Sequence, residues 1–213
     1  MSFFREKHLW IIPAYAVFYL ASFWFIEQQG GTPYILDSPL DAYIPFCEYF
    51  VVFYVSWFFL IAATVYYFTF KNKDVNEFYA CMMSIAFGMT LFIVVSLVFP
   101  NGHTLRPELH GENIFVMAVQ LLYFIDTPTN IMPSMHVYVA VVCGVAFLKN
   151  ERVKQNKALW IFVLILTIGI VASTVFIKQH TIVDVFAALA LNAVSYAFFY
   201  RVFPVHKSLA EEK

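Results

Sequence analysis

The chain has 213 residues, of which 62% are hydrophobic and only 13% are charged, and its mean hydropathy is +0.73. These values lie well outside the usual range of soluble domains and predict an integral membrane protein. The net charge of -1 at pH 7 provides no clustered basic face, so nucleic acid is excluded as an expected partner.

Apolar stretches near the length of a membrane span recur along the whole chain. A spanning helix needs about 20 apolar residues, and six segments approach that length. The fourth is short, which predicts that its outer end opens into a polar cavity. We therefore expect one all-α membrane domain over residues 1–213, with six transmembrane helices. The predicted spans are residues 9–26, 46–70, 78–99, 132–148, 159–177 and 181–202.

Two apolar stretches have alternative interpretations. The first span follows a basic start, as a cleaved signal peptide would, but it contains Pro13 and lacks a small-residue cleavage site before Glu27. A retained first span is therefore favoured. The stretch from Ile114 to Ile125 is too short to cross the bilayer, and we expect it to lie at the interface or to re-enter the membrane.

Lysine and arginine are distributed unevenly over the predicted loops. Eleven of the 13 fall at the amino terminus, in the 71–77 loop, in the 149–158 loop and at the carboxyl end. The positive-inside bias assigns these regions, and both termini, to the cytoplasm. A seventh span at 113–125 would place the 149–158 loop opposite the amino terminus, so six spans are favoured. Only Arg106 and Lys178 lie on the outer side, which suggests a shared anionic target.

The stretch from Ser173 to Asp184 interrupts the apolar pattern with the polar motif STVFIKQHTIVD. Thr181 is expected to cap the last helix, which brings Asp184 close to the imidazole of His180. A carboxylate bonded to one ring nitrogen fixes the tautomer of the histidine and leaves the other nitrogen as a nucleophile. Lys178 lies beside this pair as a candidate cation.

The PSMH motif of residues 133–136 predicts the start of the fourth helix, with Ser134 as its N-cap and His136 in its first turn. Helix N-termini bind phosphate through free N–H groups, so the starts of the fourth and last helices both favour a phosphoryl group. His136 is then placed to protonate a leaving oxygen as a general acid. The polar residues 126–130 before the motif favour a turn, with a place in the site as the alternative.

Arg106, in the LRPEL motif of residues 105–109, offers a planar fork that matches phosphate oxygens, while Lys178 offers a point charge. Fixed cations of this kind stabilise a transferring phosphoryl group without a metal. The sequence contains no HExxH motif or Asp-rich cluster, and its three cysteines form no pair at metal-ligand spacing. We therefore expect neither a metal nor another cofactor.

The three motifs resemble those of the type 2 phosphatidic acid phosphatase (PAP2) superfamily in their order along the chain, in their spacing and in their predicted position on one side of the membrane. The pattern of that superfamily is K-x6-RP, PSGH and SR-x5-H-x3-D on a six-helix membrane core. The chain matches it at Arg106–Pro107, at residues 133–136, and at Ser173, His180 and Asp184. The resemblance extends over the whole predicted transmembrane architecture.

The resemblance implies a role for each matching side chain. His180 would attack phosphorus to give a phosphohistidine, and His136 would protonate the leaving group. Arg106 and Ser134 would bind the phosphate, and Ser173 would support the same oxygens. Water, or another hydroxyl, would then remove the phosphoryl group from the histidine.

The chain departs from the superfamily pattern at three positions. Phe99 stands at the Lys of the first motif, Met135 at the Gly of the second and Thr174 at the Arg of the third. Two expected cations are therefore missing, for which Lys178 and His103 are the candidate substitutes. The variant motifs indicate a divergent branch of the superfamily, which also contains lipid phosphotransferases.

These features predict a multi-pass protein of the plasma membrane that takes a lipid phosphate as substrate, among membrane lipids, at its extracytoplasmic face. The expected reaction is metal-independent hydrolysis of a phosphomonoester or a pyrophosphate. One alternative is a lipid headgroup phosphotransferase of the inositol phosphorylceramide or sphingomyelin synthase type. The other is a non-catalytic lipid-binding or transport protein that retains the pocket.

Overall fold

The computed structural model describes residues 9–29, 33–111 and 113–202, which are mostly helical. The helices are α1 (Ile11–Glu27), α2 (Val51–Tyr66), α3 (Val75–Val98), α4 (Ile114–Ile125), α5 (Met135–Lys149), α6 (Glu151–Gln155), α7 (Lys157–Phe176) and α8 (Ile182–Tyr196). Turns of π-helix continue α2 through Tyr67–Lys71 and α8 through Ala197–Val202, and 3₁₀ turns lie at Pro39–Tyr43 and Glu48–Phe50. Two short strands, β1 (Tyr34–Ile35) and β2 (Asn101–Gly102), pair in parallel.

Four helical stretches of the described residues are long and apolar enough to cross a membrane, which makes this a helical membrane protein. They are Glu48–Lys71, Val75–Val98, Lys157–Phe176 and Ile182–Arg201. A helix is also present at each of the other two predicted spans, but α1, with 17 residues, and α5, with 15, are shorter. The helical fold class is confirmed, and the number of six spans stays a prediction.

The 71–77 and 149–158 loops, which carry basic residues, lie at one end of the bundle. The hydroxyl of Tyr67 donates to the side-chain oxygen of Asn150 at 2.9 Å, and the Asn150 amide donates to Glu77 at 2.7 Å. These bonds join the end of α2, the start of α3 and the α5–α6 turn. Both chain termini, whose cytoplasmic placement depends on Arg5, Lys7, Lys207 and Lys213, lie outside the described residues.

Helix α5 lies at the centre of the bundle and packs against α2, α3, α7 and α8. Its side chains are buried on all sides, as the near-zero exposure of Val137, Tyr138, Val139, Ala140 and Cys143 shows. A helix that is buried all round is surrounded by protein instead of lipid, so its length need not match the thickness of the bilayer. This position accounts for the short fourth segment of the sequence.

Tyr138 fixes α5 between two of its neighbours. Its hydroxyl donates to the backbone carbonyl of Ser84 in α3 at 2.7 Å and lies 2.9 Å from the hydroxyl of Ser195 in α8. Gly88 permits the close approach, because a β-carbon at that position would overlap the tyrosine ring. A buried tyrosine hydroxyl needs such partners. The contacts hold α5 and α8, the two helices that begin at the site, in a fixed relation.

Asn101 organises the opposite end of the bundle, where the outer loops meet. Its side-chain oxygen accepts the backbone N–H groups of Ile131 and Met132, both at 2.9 Å, and its amide donates to the carbonyl of Phe99 at 2.8 Å. The asparagine is fully buried. It therefore fixes the turn that leads into Ser134 and α5, next to the paired strands β1 and β2.

Candidate active site

His180 and Asp184 form a buried pair at the start of α8. Nδ1 of His180 lies 2.6 Å from Oδ2 of Asp184, and the hydroxyl of Thr181 donates to Oδ1 of Asp184 at 2.8 Å. Thr181 also caps the helix by accepting the N–H of Asp184 at 3.3 Å, as the sequence predicts. Asp184 has no exposed surface. Because Nδ1 faces the carboxylate, Nε2 of His180 is the nitrogen that is available to a substrate.

His136, in the first turn of α5, faces His180 across the site. The centroids of the two imidazole rings lie 5.7 Å apart. The His136 ring lies between the rings of Tyr54 and Trp57, at centroid distances of 4.2 and 4.4 Å, and its Nδ1 is 3.2 Å from the Tyr54 hydroxyl. These contacts hold the second imidazole in place.

The two serines of the motifs have different surroundings. Ser134 caps α5 by accepting the N–H of Val137 at 3.3 Å, and its own N–H donates to the carbonyl of Asp184 at 3.3 Å. The starts of α5 and α8 are therefore in contact. The hydroxyl of Ser173 donates to the carbonyl of Ile170 within α7 at 2.6 Å. Phosphate binding by Ser173, which would require another hydroxyl orientation, stays a prediction.

Arg106 lies against the end of α4 and reaches the third motif. Its guanidinium lies over the ring of Tyr123 at 4.4 Å and donates to the carbonyls of Tyr123 at 3.0 Å and Asp126 at 2.5 Å. It also donates to the side-chain oxygen of Gln179, the residue before His180. Burial lowers the pKa of Arg106, and the Asp126 carboxylate acts in the opposite direction. These contacts fix a cation beside the histidine pair.

Asp126 connects Arg106 with the second histidine. Its carboxylate accepts the hydroxyl of Tyr54 at 2.9 Å and the amide of Gln179 at 3.0 Å. Burial raises the pKa of Asp126, while His180, the Tyr54 hydrogen bond and Arg106 lower it. The sequence favours a simple turn for residues 126–130. In the structure, Asp126 instead contacts Tyr54, which lies against His136, and Gln179, which precedes His180.

Lys178 is engaged by the outer loop that precedes α2. Its ammonium donates to the carbonyls of Asp41 at 2.8 Å and Ile44 at 2.5 Å. The Asp41 carboxylate in turn accepts the N–H groups of Ile182 and Ser38, both at 2.8 Å. Lys178 has a left-handed φ of 54°, which non-glycine residues rarely adopt. Direct phosphate binding by Lys178 stays a prediction; the contacts present join this loop to the turn before α8.

Replacing Lys178 with methionine is expected to loosen the outer loop of residues 36–46. The substitution removes two charge-assisted hydrogen bonds, and such bonds typically stabilise a protein by about 1.5–3 kcal/mol each. Hydrogen exchange of the 36–46 backbone should therefore become faster, and the free energy of unfolding should fall. Lys154→Met, at a half-exposed lysine of α6, is the control. Unchanged exchange in residues 36–46 would contradict the anchoring role.

Four site residues carry weak signals in the sequence. Tyr54 and Trp57 lie in an aromatic-rich span, where nothing distinguishes them from residues that face lipid. Asp41 belongs to an outer loop that is conspicuous only for its acidic charge. Gln179 has the clearest signal, because it lies next to His180 within a polar interruption of an apolar run.

Two cavities of the bundle lie away from this site. One of about 270 Å³ lies between α5 and α8 and is lined by Ser84 and Asn192, and one of about 310 Å³ lies between α1 and α3. Neither contains a residue of the three motifs. Within the described part of the chain, no three His, Cys, Asp or Glu side chains are grouped so that they could hold a metal ion.

Taken together, the fold and the site define a helical membrane protein with a buried histidine–aspartate pair, a second histidine and a fixed arginine at one end of its bundle. The family model of the PAP2 superfamily matches residues 106–208, a range that begins at Arg106 and contains every position at which the chain matches the superfamily motifs. The resemblance found in the sequence is thereby confirmed over that range. The match supports an enzyme of the phosphoric ester hydrolase type. Neither the curated proteins nor the solved structures include a significant match to this chain.

Proposed function

We propose that this protein is a metal-independent membrane lipid phosphatase, which hydrolyses a lipid phosphomonoester or pyrophosphate through a phosphohistidine. The observation that carries the proposal is the 2.6 Å contact between Nδ1 of His180 and Asp184, with the ring of His136 5.7 Å from that of His180. This arrangement supplies a nucleophile, its orienting carboxylate and a separate acid. The PAP2 superfamily match supports phosphatase chemistry independently.

The proposed reaction has two steps. Nε2 of His180 uses its lone pair to form a bond to phosphorus, while the bond from phosphorus to the lipid oxygen breaks and His136 gives that oxygen a proton. In the second step, His136 takes a proton from water as the water oxygen attacks phosphorus. The phosphorus–nitrogen bond breaks, inorganic phosphate leaves, and His180 regains its lone pair.

Charge stabilisation in this proposal comes from Arg106 and from two helix N-termini, while Lys178 has a positioning role. The guanidinium of Arg106 is held beside His180 through Gln179. Helices α5 and α8 begin at the same place, and the free N–H groups at a helix N-terminus favour the binding of phosphate. Lys178 contributes by holding the turn that carries His180, through its bonds to the outer loop.

The lipid substrate and the extracytoplasmic face are supported by the position of the site. It lies at helix ends, at the opposite end of the bundle from the described basic loops, which include Lys71 and Lys149. The positive-inside bias places those loops in the cytoplasm. Large apolar side chains are exposed around the bundle, for example Phe59 and Phe186 at 73% and 63%. The position of the site at the helix ends of such a surface supports a lipid headgroup as the substrate and the plasma membrane as the location.

Lipid headgroup phosphotransfer is the second candidate, and the burial of the site favours it. The side chain of Asp184 is fully buried, and His180 is only 7% exposed. A phosphohistidine in such surroundings would be shielded from water. An acceptor lipid hydroxyl could then receive the phosphoryl group in place of water.

Both candidates are tested by an assay of the purified protein in EDTA. The substrates are phosphatidic acid, phosphatidylglycerol phosphate and polyprenyl pyrophosphate. We expect release of inorganic phosphate from at least one of these lipids at a rate that EDTA does not change. In a parallel sample with an acceptor alcohol, a phosphorylated acceptor would identify the transferase. Vanadate binding without turnover of any lipid would contradict both and favour a non-catalytic lipid-binding protein.

A further inference from the structure

His103 is a buried histidine that the reaction described above does not use. It follows β2, and its backbone N–H donates to the carbonyl of Pro128 at 3.1 Å. The residue is 4% exposed. Its Nδ1 accepts the backbone N–H of Leu105 at 3.1 Å. Because an accepting ring nitrogen carries no proton, the neutral imidazole must carry its proton on Nε2.

His103 and Arg106 each carry a buried N–H donor that has no hydrogen-bond partner among the residues that the structure describes. The two donors are Nε2 of His103 and Nε of Arg106. Buried donors are nearly always paired, so an unpaired one calls for a functional explanation. Arg106 donates through its two terminal nitrogens to fixed protein groups, which leaves Nε as an unused donor on a rigid guanidinium.

The charged surroundings of His103 are those of the active site. The ionisable groups that act on its imidazole are His180, Arg106, Asp184 and Asp37, with His180 the strongest. Burial is the main cause that lowers the pKa of His103 to about 4, and the positive neighbours add to it. At neutral pH the ring is therefore an uncharged donor with a fixed tautomer.

We propose that His103 binds a non-bridging phosphoryl oxygen through its neutral Nε2–H, together with Nε of Arg106. The inference rests on the proposed phosphatase site and names a further substrate-binding residue for it. The superfamily pattern has a lysine where this chain has Phe99, and the sequence alone named His103 as a substitute cation. The hydrogen-bond pattern assigns it a different role, as a neutral donor that helps to bind the phosphoryl group.

Three variants test the assignment by kcat/KM for a lipid phosphate and by the affinity for vanadate. His103→Ala removes the donor and should lower both by roughly 10- to 100-fold, the usual effect of losing one hydrogen bond to a charged group. His103→Gln keeps an N–H at the position of Nε2 and should recover most of the loss. The pH profile of kcat/KM for His103→Gln between pH 5.5 and 8 should match that of the unaltered protein. His110→Ala, at an exposed histidine of the same loop, is the control.

Three outcomes would overturn the proposal. The first is full activity and full vanadate affinity in His103→Ala, and the second is a loss in His103→Gln as large as that in His103→Ala. The third is a pH profile of kcat/KM whose fall on the acid side disappears in His103→Gln. The last result would identify a cation. Vanadate affinity separates this proposal from the proposed function, because it measures phosphoryl binding even if the unaltered protein turns over no lipid. An unaltered protein that binds no vanadate would overturn the role of His103 directly. Thermal unfolding of both variants excludes misfolding as the cause.

Discussion

Replacing His180 with alanine is expected to lower phosphate release by roughly 10⁴- to 10⁶-fold, the scale on which loss of a covalent nucleophile acts. Nε2 of His180 is the nitrogen that faces the site, since Nδ1 lies 2.6 Å from Asp184. Without that nitrogen, water would have to attack phosphorus directly, with no covalent intermediate. The measurement is the initial rate of phosphate release from the best lipid substrate, with purified protein in EDTA.

His110→Ala is the matched control for this substitution. The side chain of His110 is 84% exposed, and its ionic contact is to Glu108 in the same loop, so activity should be unchanged. Asp184→Asn should lower the rate by less than His180→Ala, because it removes the orienting carboxylate and leaves the nucleophile. Phosphate release by His180→Ala at the unaltered rate would contradict the mechanism.

Replacing His136 with glutamine is expected to lower kcat by roughly 10²- to 10⁴-fold for a lipid alkoxide leaving group, the usual contribution of a general acid. With a nitrophenyl phosphate, the same variant should lose much less in the initial burst of nitrophenolate, which reports the first step alone, because a nitrophenolate leaves without a proton. The expectation follows from the position of His136, whose ring faces His180 and is held by Tyr54 and Trp57. The measurement compares the two substrates in the two proteins.

A purely structural role for His136 would produce equal losses with both substrates, and that result would contradict an acid role. Trp57→Phe is a useful companion variant, because it keeps an aromatic ring against the imidazole. It should retain most of the activity with both substrates. The pair of variants therefore separates proton transfer from packing.

The sequence predicts the helices and their caps well, because these depend on local interactions. Thr181 and Ser134 lie where a polar interruption meets an apolar run, and both accept a helix N–H as expected. The spacing of four residues is enough to bring Asp184 to His180. Family resemblance adds Arg106, whose distance from the other motifs along the chain gives no geometric information by itself.

The remaining contacts of the site depend on packing between distant segments, which no local pattern encodes. Tyr54 and His136 are 82 residues apart, and Lys178 and Asp41 are 137 residues apart. The charge of Lys178 suggested an anionic target, but its ammonium reaches backbone carbonyls of a loop whose position follows from the whole fold. For His103, the sequence could identify a titratable side chain but could not show which nitrogen accepts a hydrogen bond.

The covalent intermediate is the central claim, and rapid chemical quench with a ³²P-labelled lipid phosphate tests it most directly. The account predicts that label appears on the protein within the first turnover, is stable in base and labile in acid as a phosphoramidate is, and maps to His180. The His180→Ala protein should carry no label. Turnover of the labelled lipid with no bound label at any quench time, or label on a residue other than His180, would contradict the account.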